Sequence, residues 1–229
     1  MIGGRKLGLL GGTFDPIHYG HLDAADAARA ALALDEIRII PSHDPPHRPI
    51  DPRASRFHRF AMAALAVNDR PGCRVSDMEV GRDGPSFTVD SLHALRARGW
   101  RPSQLFFILG ADAFAEIATW KAFPSVLDAA HFVVIARPGT TLNEALARTP
   151  QLADRAGAAD PALDNGGGTR ILLVPANTRA VSSTDIRSRL AAQQPIEDLV
   201  PSSVARHILT HHLYQPVGHL HGEDEYEGQ

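Results

Sequence analysis

The sequence predicts an α/β fold: a Rossmann-like, doubly wound, mostly parallel sheet with helices on both faces. Three observations carry this expectation. Short apolar runs recur along the chain and alternate with stretches of helical periodicity, the pattern of strand–helix–strand units. The runs are apolar at nearly every position, as strands covered on both faces are. Residues able to do chemistry, among them His18, His21, Ser42, Asp112 and Arg137, fall just after these runs. Ligands of such sheets bind at the carboxyl ends of the strands, near a switch in strand order.

Residues 7–10 read as a first buried strand, with a sharp turn at Gly11 and Gly12 and then an alanine- and leucine-rich helix over 19–34. Residues 36–40 are a second strand ended by Pro41, and 42–52 a loop with four prolines and two histidines. Over 53–68, Phe57, Phe60, Ala61, Ala64 and Leu65 share the apolar stripe of an amphipathic helix. Residues 73–80 alternate as a strand does, and 86–98 form a helix stopped by Gly99. A central strand over 104–109 ends at Gly110, and short helices follow around 113–117 and 124–130. Residues 131–136 are another buried strand. The pattern is weakest over 139–169, with a helix around 142–148 and a flexible glycine run at 165–168. Residues 170–174 form the next strand, and 183–192 and 202–213 are helices. No repeat or linker interrupts residues 1–217, which read as one domain; residues 218–229 read as a disordered acidic tail.

Hydrophobic residues make up 44% of the 229 and charged ones 21%, a globular composition large enough for a sizeable core. A formal net charge of -3 argues against non-specific binding to nucleic acid or to acidic membranes. The single cysteine, Cys73, excludes an intrachain disulfide and a cysteine-based zinc cluster, which suits a reducing compartment. Without a signal sequence or an apolar stretch long enough to span a membrane, a cytoplasmic protein is expected.

The most informative segment runs from Gly11 to His21, GGTFDPIHYGH, between strand and helix. A helix amino terminus offers free N–H groups and a positive dipole end, so this position suits a phosphate. Gly12, Thr13 and Phe14 line the turn. His18 and His21, three apart at the helix start, can face the same way and donate to phosphate oxygens. Neither a P-loop nor a dinucleotide fingerprint is present. In a second segment, VSSTDIR over 181–187, Ser182 or Ser183 can cap a helix, Thr184 stands in its first turn, and Arg187 follows one turn on, a combination suited to further phosphates.

The first segment resembles the signature of the HxGH nucleotidyltransferase superfamily, and the second resembles that superfamily's Ser-Ser-Thr-x-x-Arg element. The resemblance implies attack of a phosphate on the α-phosphate of a nucleoside triphosphate, with pyrophosphate leaving. It implies catalytic roles for His18, His21 and Arg187, with Gly12, Thr13, Phe14, Gly110, Asp112, Ser183 and Thr184 also at the ATP. Further elements occur in order: Pro-Pro-His-Arg at 45–48, Pro-Ser-Phe-Thr at 85–88, Gly-Ala-Asp at 110–112 with Trp120 beyond, and Arg-Pro-Gly at 137–139. Together they resemble the bacterial nicotinate mononucleotide adenylyltransferases.

That resemblance implies ATP and nicotinate mononucleotide as substrates and magnesium carried with the ATP, with few or no direct protein ligands. It implies acceptor contacts from Ser42, His47, Arg48, Phe87, Thr88, Trp120 and Arg137. A pyridine ring suits the face of Trp120, and a carboxylate suits the N–H groups near Phe87 and Thr88. Taken singly, each of these residues reads equally well as core, cap or solvated charge. Their joint order favours the site. Ser42, Phe87 and Lys121 depart from the family's usual Asn, Tyr and aromatic residue, which touches acceptor preference and leaves the transfer machinery intact. The alternatives are the same chemistry on nicotinamide mononucleotide or another phosphate acceptor, or a non-catalytic adenine-nucleotide sensor on the same fold. Monomer and homodimer both remain open. His207 and His211 have the i, i+4 spacing of a metal pair, but with no third ligand fixed beside them they read as a solvated face, and no protein-held metal is expected.

Overall fold

The computed structural model describes residues 4–45, 53–136, 140–162 and 168–215. Seven strands form one sheet: β1 Leu7–Gly12, β2 Glu36–Pro41, β3 Cys73–Val75, β4 Leu105–Gly110, β5 His131–Ala136, β6 Ala156–Ala158 and β7 Ile171–Pro175. Their order is β3-β2-β1-β4-β5-β7-β6, and every pairing is parallel. The helices are α1 Tyr19–Leu32, α2 Arg56–Val67, α3 Thr88–Ala97, α4 Ala111–Ala115, α5 Leu142–Ala145, α6 Ser183–Ala191 and α7 Ser202–Thr210. From β1 the chain winds outward through β2 and β3. It then returns to β4 on the other side of β1 and winds the opposite way. The switch therefore lies between the carboxyl ends of β1 and β4, where a doubly wound sheet opens a crevice.

The doubly covered sheet explains the continuous apolar runs. Along β4, Phe106 and Ile108 enter a core with Leu22, Ala28, Met62 and Val204, while Leu105, Phe107 and Leu109 enter a second core with Val89, Leu92, Phe114 and Val126. Each large apolar side chain removed from water contributes about 1.5–3 kcal/mol, so these two layers dominate the surface ion pairs. Among the described residues, no helix is long and apolar enough to cross a membrane.

The structure corrects several expected boundaries. Gly11 and Gly12 continue β1 instead of turning; the sharp turn comes at Phe14, whose φ of 51° is left-handed. A side chain at Gly12 would meet the Phe14 ring at 3.0 Å, so the glycine gives that ring its place. Helix α1 stops at Leu32, two residues short of the expected end, where Ala33 turns left-handed. The buried face of α2 is Arg59, Met62, Ala63, Ala66 and Val67, and the Phe57-to-Leu65 stripe lies away from it: Phe57 is 65% exposed. Arg59 turns the helix, because its guanidinium is held inside by backbone carbonyls. Strand β3 is only Cys73–Val75; beyond it the chain turns, and Glu79 is buried, accepting from Ser91 Oγ at 2.5 Å. Helix α7 ends at Thr210, before the expected 213. The short edge strand β6 was not expected, since Ala-Gly-Ala has no apolar run and only pairing to β7 defines it.

Candidate active site

The first motif lies at the β1–β4 switch. His18 is the N-cap of α1, in extended backbone, and the residue is 6% exposed. Burial holds its pKa down at about 4, against a small opposing pull from Asp23, so the ring is neutral at physiological pH. Its Nδ1 is buried without a hydrogen-bond partner among the described residues. A buried polar atom left unpaired costs about 1–3 kcal/mol, and such atoms concentrate where function requires them. The His21 ring stacks on that of His18 at 3.7 Å, and its Nδ1 accepts the His18 backbone N–H at 3.2 Å. That bond places the His21 proton on Nε2 and makes Nε2 the donor. The buried Phe14 ring meets His21 edge-on at 4.9 Å. Phe14 therefore supports His21 from the core. Gly20 has a steric reason as well: a Cβ there would lie 3.1 Å from the Arg179 carbonyl and 3.2 Å from the His18 ring.

The second motif meets the first across most of the sequence. The Ser183 hydroxyl donates to the Pro16 carbonyl at 2.9 Å, and Arg187 donates to the Asp15 carbonyl at 2.7 Å and to Thr184 Oγ1 at 3.1 Å. The cap of α6 is Ser182, whose Oγ accepts the Asp185 N–H at 3.0 Å. Thr184 is exposed at the first turn. Two helix amino termini, α1 and α6, and the Arg187 guanidinium thus border one place, an arrangement suited to a polyphosphate.

Several residues that carry no motif hold this half together. The buried Asp15 carboxylate accepts from the Arg53 and Ala54 N–H groups at 2.9 and 3.0 Å and from the Tyr214 hydroxyl at 2.8 Å. Burial and this bond push the Tyr214 hydroxyl pKa upward. Arg59, 1% exposed, donates to the carbonyls of Thr13 at 2.7 Å, His43 at 3.0 Å and Ala54 at 3.2 Å. Arg179 lies over the Tyr19 ring at 3.9 Å and pairs with Asp23 at 3.1 Å, fastening the segment before α6 to α1. The one sequence signal for Arg59 is a charge inside the apolar half of a helix; Tyr214 and Arg179 had none.

The residues expected at the acceptor fall in several separate places. The Ser42 N–H donates to the Gly12 carbonyl at 2.9 Å, which places Ser42 beside the first motif; its buried hydroxyl has no partner among the described residues. The loop after β2 is joined to the start of α3: His43 N–H donates to Ser86 Oγ at 2.9 Å, and Ser86 N–H to the Asp44 carbonyl at 2.8 Å. Phe87 is the N-cap of α3 without a side-chain cap, and Thr88 is its first residue. Trp120 is half-buried, edge-on to Phe107 at 5.9 Å and to Phe132 at 6.5 Å. Lys121 lies 4.6 Å from the Phe87 ring centre and pairs with Asp90 at 2.9 Å, so it joins the Trp120 segment to α3. Gly110 ends β4, and Asp112 is exposed in the first turn of α4. His47, Arg48 and Arg137 lie outside the described residues.

The carboxylates near the first motif are engaged: Asp15 by backbone and Tyr214, Asp23 by Arg179.

The model of the cytidylyltransferase-like family matches residues 9–189, which contain both motifs. The probable nicotinate-nucleotide adenylyltransferase of Moorella thermoacetica is 40% identical over 211 residues, covering 92% of each chain. That of Pseudomonas aeruginosa is 40% identical over 212 residues, covering 93% of this chain and 98% of its own. In fold, the chain is similar to Plasmodium falciparum nicotinic acid mononucleotide adenylyltransferase complexed with NaAD, with a TM-score of 0.69 at 18% identity over 92% of this chain and 97% of that one. The chain belongs to the cytidylyltransferase-like family and, within it, to the nicotinate-nucleotide adenylyltransferases.

Proposed function

We propose that the protein transfers AMP from ATP to nicotinate mononucleotide, giving deamido-NAD and pyrophosphate. The observation that carries this reading is the junction of the two motifs: Ser183 and Arg187 hydrogen-bond to the Pro16 and Asp15 carbonyls, just before His18. In this reaction a phosphate oxygen of the mononucleotide attacks the ATP α-phosphorus. The new O–P bond forms as the bond from the α-phosphorus to the bridging oxygen breaks, and that electron pair leaves with pyrophosphate. Such a transfer needs positioning and charge stabilisation, with no covalent intermediate.

His21, with its proton on Nε2, donates to a nonbridging oxygen as negative charge builds there. The buried His18 ring contributes an N–H of its own, and an anion beside it raises its affinity for a second proton. Arg187 and the start of α6 receive the leaving pyrophosphate. Magnesium, bound through phosphate oxygens, supplies charge neutralisation. On the acceptor side, the pyridine ring lies against Trp120, its carboxylate at the start of α3, and its phosphate toward His47, Arg48 and Arg137. Asp112 takes a ribose diol.

Pyrophosphate release from ATP and magnesium, measured with nicotinate mononucleotide and with nicotinamide mononucleotide in parallel, tests this reading. Turnover with the acid is expected; its absence would remove the assignment, and faster turnover with the amide would change only the acceptor.

A further inference from the structure

The His207–His211 pair lies at the end of α7, and packing changes its meaning. Helix α7 lies on α2, where Ser203 Oγ donates to the Leu65 carbonyl at 3.1 Å. That packing brings up a third imidazole. His58 Nδ1 lies 3.1 Å from His207 Nε2, the His58 and His211 rings are 4.9 Å apart, and the His207 and His211 rings 4.4 Å. One nitrogen from each of the three falls within 4.8 Å of the others.

We propose that His58, His207 and His211 form a binding site for one divalent transition metal ion of the zinc type, which clamps α2 to α7. Tetrahedral coordination with Zn–N bonds near 2.0–2.1 Å separates ligand nitrogens by about 3.4 Å. The His58–His207 spacing already approaches that value, and His211, being exposed, is free to rotate into place. Three imidazoles with no Asp, Glu or Cys among them in the described residues suit a borderline-soft cation and not magnesium, which prefers oxygen. A solvent molecule completes the shell. The ligands sit on an ordered frame: the His58 N–H donates to the α2 cap Ser55, and the next residue is the buried Arg59. His211 lies three residues before Tyr214, which bonds to Asp15. The ion therefore fastens together the two segments that hold the first motif from opposite ends of the chain.

The test uses the full chain carrying His219→Ala and His221→Ala, so that tail histidines do not contribute, after dialysis against a chelator. Titration with zinc chloride is expected to give one saturable equivalent per chain and a Tm rise of roughly 5 °C at a hundredfold excess over Kd. His58→Ala and His211→Ala should each weaken binding at least tenfold and abolish the Tm rise. His211 is exposed, so its variant decides the matter even if His58→Ala fails to fold. Binding that is absent, or unchanged in both variants, overturns the site. Binding without a Tm rise overturns the clamp.

Discussion

Around the first motif, hydrogen bonds join residues far apart in the chain, with Tyr214 reaching Asp15 across 199 positions and Arg187 across 172. Most of these partners are buried or half-buried. On the proposed acceptor side, the described contacts span fewer positions and join loops to the start of α3: Lys121 to Asp90 across 31 positions and to the Phe87 ring, and His43 to Ser86 across 43. The difference follows from what each half must do. Phosphoryl transfer depends on charge placed to within a fraction of an ångström, which a rigid, over-determined frame provides. Acceptor choice needs only a few kcal/mol of discrimination, which loops can supply and vary.

The largest expected effect falls on the rigid half. His18→Ala should lower turnover by about 10²–10⁴-fold, the usual cost of losing a positioned proton donor or charge stabiliser. Removing the ring relieves the cost of its unpaired Nδ1 and loses its stacking on His21, opposing effects that should leave Tm little changed. Rate and Tm measured on one preparation decide this: a folded variant with unchanged rate removes His18 from the chemistry.

Arg59→Ala tests whether the frame itself matters. It strips three carbonyls, two of them in buried bonds, of their donor, and losses of about 3 kcal/mol or more are expected. The urea midpoint should fall accordingly. A fall below about 1 kcal/mol would show that water substitutes readily and that the frame is softer than its geometry suggests.

The ease of reading the two halves in the sequence was opposite to their rigidity in only one respect. The residues proposed to act on the phosphates stand in contiguous strings, because a helix start presents near neighbours to one ligand. Their supports do not: Arg59, Tyr214 and Arg179 come from separate elements, and tertiary packing alone brings them in. The sheet was legible because strands covered on both faces must be apolar throughout. Strand β6, too short and too small-sided for that rule, was invisible, and the α2 stripe was misplaced because the cost of burying Arg59 is met by carbonyls no periodicity reveals.

Two buried histidines sharpen the comparison further. His131, at the amino end of β5, has the same depressed pKa of about 4 as His18, for the same reason of burial. Its Nδ1 accepts the Arg170 N–H at 3.0 Å, and its ring stacks on Phe106 at 4.7 Å. A perturbed pKa alone therefore does not mark the site. Between about pH 6.5 and 4 the unfolded chain binds protons at both rings and the folded chain does not. Stability is thus full above pH 6.5 and lost on acidification toward 4, by up to about 3 kcal/mol per histidine. His131→Gln should flatten that loss. Added ATP with magnesium should raise the His18 pKa and leave that of His131 unmoved, as read by NMR titration. Equal response of both would place the nucleotide elsewhere.

The smallest effects belong to the acceptor half. Trp120→Ala should raise KM for the mononucleotide about tenfold at nearly constant kcat, since a stacking surface of about 1–1.5 kcal/mol is used alike in ground and transition states. Part of the Trp120 edge packs on Phe107 and Phe132, so a Tm loss of a few degrees should accompany it. Lys121→Ala removes an exposed ion pair and the cation over Phe87, contacts worth at most about 1 kcal/mol together. Its expected cost is a two- to fivefold rise in the same KM, with no change in KM for ATP. If Lys121→Ala instead altered the ATP constant or kcat as strongly as His18→Ala, the two halves would be mechanically one, and the division between a rigid transfer frame and an adjustable acceptor rim would fail.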